Sequence, residues 1–311
     1  MSQTARDELQ CADLTSMERF QAMVLGWYAD NARQFVWRTP NPDPFVVLVS
    51  ETMLQQTQTH RVQQKLSLFL QQFPDFAALA AADNASIIRA WQGMGYNNRA
   101  LRLRDCARTV LQVHNGVLPA DAQALGALPG IGPYTVSAVL SFAFHHDVPV
   151  LDVNIRRLYS RVFQRLNTVI DLLSESALQL IARDVFPRGR SSEWHQACMD
   201  IAAQFCTARS PRCLLCPVCG SCRSAYQLAD AAPVHIQEPS FRGQPNRIWR
   251  GRIVELLRGL EPGQELSHDD LRTVLSLRDT LDDAAWIGNL LSALERDGLI
   301  RNGPTGICLQ S

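Results

Sequence analysis

Leu128–Leu140 reads LPGIGPYTVSAVL, two glycines set between amphipathic segments. Gly130 and Gly132 allow a tight connection with positive φ and a close backbone approach, and a helix then opens near Pro133. The first amides of that helix, around Pro133, Tyr134 and Thr135, face outward at the positive end of its dipole, which makes a seat for a phosphate. Proline–glycine pairs also mark ordinary helical turns, so this stretch alone leaves both readings open.

Outward from this hairpin the periodicity is helical almost everywhere. Apolar spacing predicts a helix within 19–38, a long stretch from Phe45 to about Phe73 that is broken at most once, and helices over 84–91, 97–113, 121–128, 134–144, 152–163, 174–184 and 191–206. No period-two strand is legible before residue 240, so this part of the chain reads as all-α. Residues 226–246 lose periodicity and collect prolines, as a linker does. Beyond it, Arg247–Leu260, LSHDDLRTVL with Ser267 as N-cap, and AAWIGNLLSALERDGLI read as three helices, followed by a hairpin in RNGPTGICLQ. Residues 247–311 thus form a small winged-helix-like module, a shape that serves DNA binding and plain packing alike.

At 311 residues the chain is long enough for two domains, and 46 % apolar residues exclude wholesale disorder. No run approaches the roughly 18–20 apolar residues of a membrane span. The first twenty residues are polar and acidic, unlike a secretory leader, and a cytoplasmic protein is expected. Net charge is +0, so the overall field captures no polyanion by itself. Distribution matters more. Arg156, Arg157, Arg161 and Arg165 have no acid among them and suggest a local basic face, and Lys65 is the sole lysine.

Two carboxylates and a run of cysteines carry the candidate chemistry. Asp152, in VPVLDVNIRRL, reads either as a helix cap or as an anion able to stabilise a developing sugar cation. Glu51, in FVVLVSETMLQQTQTH, sits in so apolar a helix that its pKa should rise and leave it able to donate a proton near neutrality; a solvent-facing or arginine-tied Glu is the alternative. Cys206, Cys213, Cys216, Cys219 and Cys222 are too close together to be incidental, and reduced thiols so placed converge on a metal.

Taken in order, WRTPNPDPFVVLVSETMLQQT, WQGMGYNNRA, LPGIGPYT, LDVNIRR and QACMDIAAQFCTARSPRCLLCPVCGSC resemble the iron-sulfur branch of the helix-hairpin-helix (HhH-GPD) DNA glycosylases, most closely those of the MutY type, over about residues 19–225. The resemblance implies a two-lobed all-α fold with a cluster loop at 206–222. Glu51 would protonate the departing adenine on N7 and Asp152 would stabilise the sugar cation. Gln55, Gln56, Gly130, Gly132, Tyr134, Thr135 and Arg156 would contact DNA, with Gln56 as a wedge, and Tyr96 and Tyr134 would line the pocket for the flipped base. Strand-cutting relatives carry a lysine where this chain has Tyr134, so a monofunctional enzyme that leaves an abasic site is implied.

The family's spacing selects Cys206, Cys213, Cys216 and Cys222 as ligands of a 4Fe-4S cluster, with zinc as second choice and Cys219 as a competing ligand. The implied partner is double-stranded DNA with a mismatched or damaged base pair, bound by a monomer in the nucleoid without a membrane. Three departures bear on substrate. Asn97 and Asn98 replace an aromatic residue and its neighbour, Val153 replaces a glycine, and residues 240–311 do not resemble the domain with which MutY-type enzymes read 8-oxoguanine. Adenine excision opposite 8-oxoguanine or G is therefore the first reading. Thymine or uracil excision from mismatches with G is the second, and a noncatalytic damage-binding protein the third.

Overall fold

A computed structural model describes residues 14–230 and 238–311. Thirteen N-terminal residues, including the acidic Asp7, Glu8 and Asp13, and residues 231–237 of the expected linker lie outside the described residues. The helices in chain order are α1 (Leu14–Asn31), α2 (Pro44–Leu54), α3 (Thr59–Gln72), α4 (Phe76–Ala81), α5 (Asn84–Ala90), α6 (Asn98–His114), α7 (Ala122–Gly126), α8 (Pro133–Phe142), α9 (Val153–Phe163), α10 (Glu175–Asp184) and α11 (Ser191–Gln204). They are followed by a short hairpin of β1 (Ser240–Phe241) and β2 (Gln244–Pro245), by α12 (Asn246–Arg258), α13 (His268–Val274) and α14 (Leu281–Arg296), and by β3 (Ile300–Asn302) antiparallel to β4 (Ile307–Leu309).

Short polar side chains set many of these starts. Asp75, Asp83, Asp152, Ser174, Ser267 and Thr280 each precede a helix and accept the amide three residues on, which satisfies one of the donors that a first turn leaves open. Ser267 is the cap expected from sequence. The stretch from Phe45 breaks once, at residues 55–58, where Gln56 adopts φ 56°. Helix α4 escapes sequence reading because FAALAA is too short to show a period. The first helix stops at Asn31 rather than running on toward residue 38. Beyond it, Arg33 and Arg38 both reach Asp200, a fully buried acid on α11, and their bonds pull the chain away from a helical path.

Two compact units form, and they cut across the segments expected from sequence. Among the described residues, one comprises 14–47, 120–126 and 132–230; the other comprises 48–119, 127–131 and 238–311. In the first, α1, α9, α10 and α11 enclose a core built on Phe20, Tyr159, Trp194 and Ile201, with the indole of Trp194 donating to the Tyr159 hydroxyl at 2.8 Å. The second unit contains the C-terminal module, whose three helices and β3–β4 hairpin match the winged-helix-like expectation. The core of that module is not closed on itself. Trp249, Ile253, Leu257, Leu291 and Leu294 share it with Ile88 of α5 and Leu101 of α6. The described ends of the expected linker are structured too. Ala229 pairs with Thr168, and Phe241 stacks on Trp286 at 3.9 Å between ring centroids.

Candidate functional site

In the second unit, Glu51 lies in the last turns of α2 and is only 5 % exposed, between the buried Ser50 and Thr52. The chain then turns at Gln55, half-buried, and Gln56, exposed and held in left-handed backbone geometry that costs a non-glycine residue energy. Arg99, at the start of α6, fastens this turn. Its guanidinium donates to the carbonyls of Thr52 (2.8 Å) and Met53 (3.1 Å), to that of Gln55, and to the hydroxyl of Thr57 (3.1 Å). It also donates to Met94 and Gly95 at 2.9 and 3.1 Å, the carbonyls just before Tyr96. Burial lowers the Arg99 pKa to about 10, which leaves it charged at neutral pH. Tyr96 is 52 % exposed with φ 45°, and the Arg99 guanidinium lies 5.7 Å from its ring centroid. Arg99 thereby joins the Glu51 helix, the Gln55–Gln56 turn and the Tyr96 loop.

The glycine hairpin divides its work unequally. Gly130 has φ 77°, and a Cβ there would stand 2.9 Å from the Cβ of Arg102, so both conformation and space require glycine. Gly132 does not take the positive φ expected of it. With φ −91° and ψ 172° it is the extended N-cap of α8 and offers no capping side chain, and Pro133 occupies the first turn. Tyr134 is half-buried and Thr135 buried in that turn.

In the first unit, Asp152 caps α9. One carboxylate oxygen accepts the Ile155 amide at 2.7 Å and the other accepts the Asn154 side chain at 2.8 Å. Desolvation raises its pKa, opposed by those two bonds and by the charge of Arg157. Both readings of Asp152 therefore describe one geometry: a capping carboxylate is also an oriented one. Two residues upstream, the Val150 amide donates to Nε2 of the buried His195 at 3.1 Å, while Nδ1 faces the Ser191 carbonyl at 2.7 Å. An acceptor at Nε2 fixes the proton on Nδ1, and burial lowers the ring's pKa to about 4. A neutral imidazole thus pins the segment that delivers Asp152.

The arginines of α9 do not form the expected basic face. Arg157 donates to the carbonyls of Cys206 (2.6 Å) and Ala202 (3.2 Å). Arg161, 1 % exposed, reaches those of Thr207 (2.8 Å), Ala208 (3.0 Å) and Val169 (2.9 Å). Carbonyls at the end of α11 and in the segment beyond it have no helical partner, and two guanidiniums one turn apart supply donors. Arg156 is paired with Glu175, whose carboxyl this bond holds at about 2. Arg165 remains exposed.

The cysteines gather against the same arginine. Cys206, Cys213, Cys216, Cys219 and Cys222 line a small pocket, open in part to solvent, together with Arg161 and several apolar side chains. Arg161 lies 3.4 Å from the sulfur of Cys206, and the thiol of Cys222 donates to the Arg161 carbonyl at 3.2 Å. Burial pushes the Cys216 thiol up to about 12 and that of Cys222 to about 11, so these sulfurs stay protonated unless a cation compensates. Among the described residues no three of His, Cys, Asp or Glu close on a point that one metal ion could fill. Arg99 and His195 carry no legible sequence signal, and Arg161 only that of its charge, because their partners are backbone carbonyls and amides rather than side chains with a spacing.

These features define a helix-hairpin-helix scaffold with a thiol-lined loop, a buried carboxylate and a capping one. A family model described as HhH-GPD superfamily base excision DNA repair protein matches residues 49–181. The chain is 37 % identical over 242 residues to the adenine DNA glycosylase of Mycobacterium tuberculosis (strain CDC 1551 / Oshkosh), covering 76 % of this chain and 78 % of that one. It is 34 % identical over 284 residues to the adenine DNA glycosylase of Mycolicibacterium smegmatis, covering 91 % and 93 %. Among solved structures, a thermostable thymine-DNA glycosylase matches with a TM-score of 0.62 at 27 % identity, over 68 % of this chain and 97 % of that one. A trapped endonuclease III–DNA covalent intermediate matches with a TM-score of 0.58 over 68 % and 98 %, a likeness of fold at 22 % identity. The chain belongs to the HhH-GPD superfamily of base excision DNA repair proteins. No helix among the described residues is long and apolar enough to cross a membrane.

Proposed function

We propose that the chain is a monofunctional DNA N-glycosylase that hydrolyses the bond between deoxyribose and an adenine mismatched with 8-oxoguanine or G, leaving an abasic site. The match to the M. smegmatis adenine DNA glycosylase carries this reading. It leaves less than a tenth of the chain uncovered, which is shorter than the C-terminal module, so it extends into the part that departs from the domain expected to read 8-oxoguanine.

The buried Glu51 is the proton donor in this reading. Adenine leaves poorly as an anion; a proton on N7 lets the C1′–N9 bond break with its electron pair going to the base. Asp152, held by Ile155 and Asn154, faces the resulting cation as an anion, and water adds to C1′ and releases its proton. Flipping the nucleotide out of the stack costs roughly a few kcal/mol, which the exposed Gln56, in its strained turn, offsets by filling the gap. Tyr96 and Tyr134 bound the base, and the hairpin at Gly130 and Gly132 with Thr135 seats the backbone. Arg156 would exchange Glu175 for a phosphate. Tyr134 offers no amine, so no Schiff base and no strand cleavage follow.

The donor set of the cysteine loop fits a 4Fe-4S cluster held by Cys206, Cys213, Cys216 and Cys222. Four thiolates within seventeen residues suit a cubane, and they line one pocket. Arg161 lines that pocket, and its Nε is buried with no partner among the described residues, which leaves a donor for sulfur. When bound, the cluster cross-links the loop; Arg157 and Arg161 transmit that rigidity to α9 and its Asp152 cap.

The test is alkali cleavage after incubation with duplexes containing 8-oxoguanine·A, G·A, G·T and G·U. Release confined to the adenine duplexes, with no cleavage before alkali, is expected. Release confined to G·T and G·U would transfer the activity to thymine and uracil, and binding without release from any duplex would make the protein a damage binder.

A further inference from the structure

The C-terminal module has the outline of a DNA reader but the wrong charge for one. Acids open the two helices that follow α12: Asp269 and Asp270 in α13, Asp282 and Asp283 in α14. A helix entering a groove lined with phosphates would not present such an end. What the module does present is the end of α12, and it presents it to the Tyr96 loop.

Arg258, the last residue of α12, has a side chain only 9 % exposed. It donates to the Asn97 side-chain oxygen at 2.7 Å, to the Ile88 carbonyl at 2.9 Å and to Glu255 at 2.8 Å. Glu255 in turn accepts from the side chain of Gln92. Arg89 returns the contact, donating to the carbonyls of Arg258 (2.5 Å) and Leu260 (2.9 Å). Asn97 is the N-cap residue of α6, yet its side chain makes no cap; it is turned to Arg258 instead. Both ends of the segment Gln92–Asn97 are thus tied to α12, while Arg61, Thr57 and Arg99 hold its interior carbonyls. Tyr96, with its left-handed backbone, stands one residue from the Asn97 tie.

We infer that the module is a positioning element for base excision, with Asn97 and Arg258 as positioning residues that fix Tyr96 for the flipped base. The departure at Asn97 and the unusual C-terminal module are then two halves of one device. This rests on the proposed glycosylase reading.

The experiment measures single-turnover adenine release and duplex affinity on an 8-oxoguanine·A duplex for the full chain and for Asn97→Leu, Asn97→Asp, Arg258→Met and the Asn97→Leu/Arg258→Met double variant. Aspartate keeps the acceptor that Arg258 uses. Each single loss of the pair is expected to slow release about tenfold with affinity changed less than about threefold, as misplacement of a reacting group does. The double variant should be no slower than the worse single one, and Asn97→Asp should recover the unmodified rate. Unchanged rates, losses that multiply, or an Asn97→Asp variant as slow as Asn97→Leu would each overturn the inference. Absence of release by the unmodified protein would instead remove the glycosylase reading, so the two failures are distinct.

Discussion

Replacing Arg99 with leucine severs the helix that carries Glu51 from the loop that carries Tyr96. Thr52 and Met53 stand in the last turn of α2, where carbonyls have no helical amide to accept from. Both residues are buried, at 8 % and 0 % exposure, and Arg99 supplies donors to both. Met94 retains the Thr57 hydroxyl and Gly95 the Trp91 indole, while the half-buried Gln55 lies nearer water. Two buried carbonyls left without donors cost about 1–3 kcal/mol each, so the expected loss is about 2–6 kcal/mol. Against a usual stability of about 5–15 kcal/mol, the variant still folds in the cold. Arg99→Lys keeps the charge but brings one three-donor ammonium to six acceptors, and should fall between. Urea unfolding followed by tryptophan fluorescence gives the stabilities, and single-turnover release at a temperature where each variant is folded gives the function. The leucine variant should release adenine at least about tenfold more slowly, because the Glu51 end of α2 and the Gln56 turn lose their common anchor. A leucine variant within about 1 kcal/mol of the unmodified protein, with an unchanged rate, would refute the assignment of Arg99 as the hub.

Glu51→Gln should abolish release while duplex affinity, measured by gel shift, changes little, since only the acidic proton is lost. Gly130→Ala should weaken duplex binding and lower the melting temperature, because a left-handed φ and a 2.9 Å approach to Arg102 both oppose the added methyl. Stability should fall by about 3 kcal/mol as pH drops from 6.5 to about 4 on account of His195. The unfolded ring takes up its proton first, so the unfolded state gains; the raised Asp152 works in the opposite sense, and the His195 share is read as the slope lost in His195→Gln. Deleting residues 240–311 should cost solubility as well as activity, since Ile88 and Leu101 lose the side chains that cover them.

Much of the site was legible because its residue types are constrained locally. Glycine at 130 is demanded by one backbone angle, the cysteines by their spacing, and Asp152 and Ser267 by the helix starts that they cap. The rest depends on groups that every residue carries. Arg157 and Arg161 looked like a basic face because a sequence records their charge but not the unpaired carbonyls at the end of α11. Asn97 looked like a simple departure from an aromatic position until α12 placed Arg258 beside it, about 160 residues away in the chain. The packing of the C-terminal module against α5 and α6 escapes the sequence for a similar reason. Ile88 and Leu101 belong to periodic helices whether they face their own lobe or Trp249, and periodicity does not say which.

Asp152 must be an anion to face a sugar cation, and its surroundings set the pH at which it is one. Burial raises its pKa, so excision should lose activity on the acid side at a pH above the ordinary aspartate value of 3.8. Two bonds hold that rise in check, and one of them comes from the side chain of Asn154. Removing it takes a donor from the charged form, so Asn154→Ala should move the acid limb of the single-turnover profile further up in pH. The alkaline limb reports the proton donor of the proposed reaction and should stay in place. Asn154 also accepts from Arg157 at 2.9 Å, and because the charge of Arg157 lowers the Asp152 pKa, freeing that guanidinium adds to the same upward shift of the acid limb. A uniform drop with an unmoved acid limb would therefore mean that Asp152 serves α9 as a cap and nothing more; a shifted acid limb ties its charge to the chemistry.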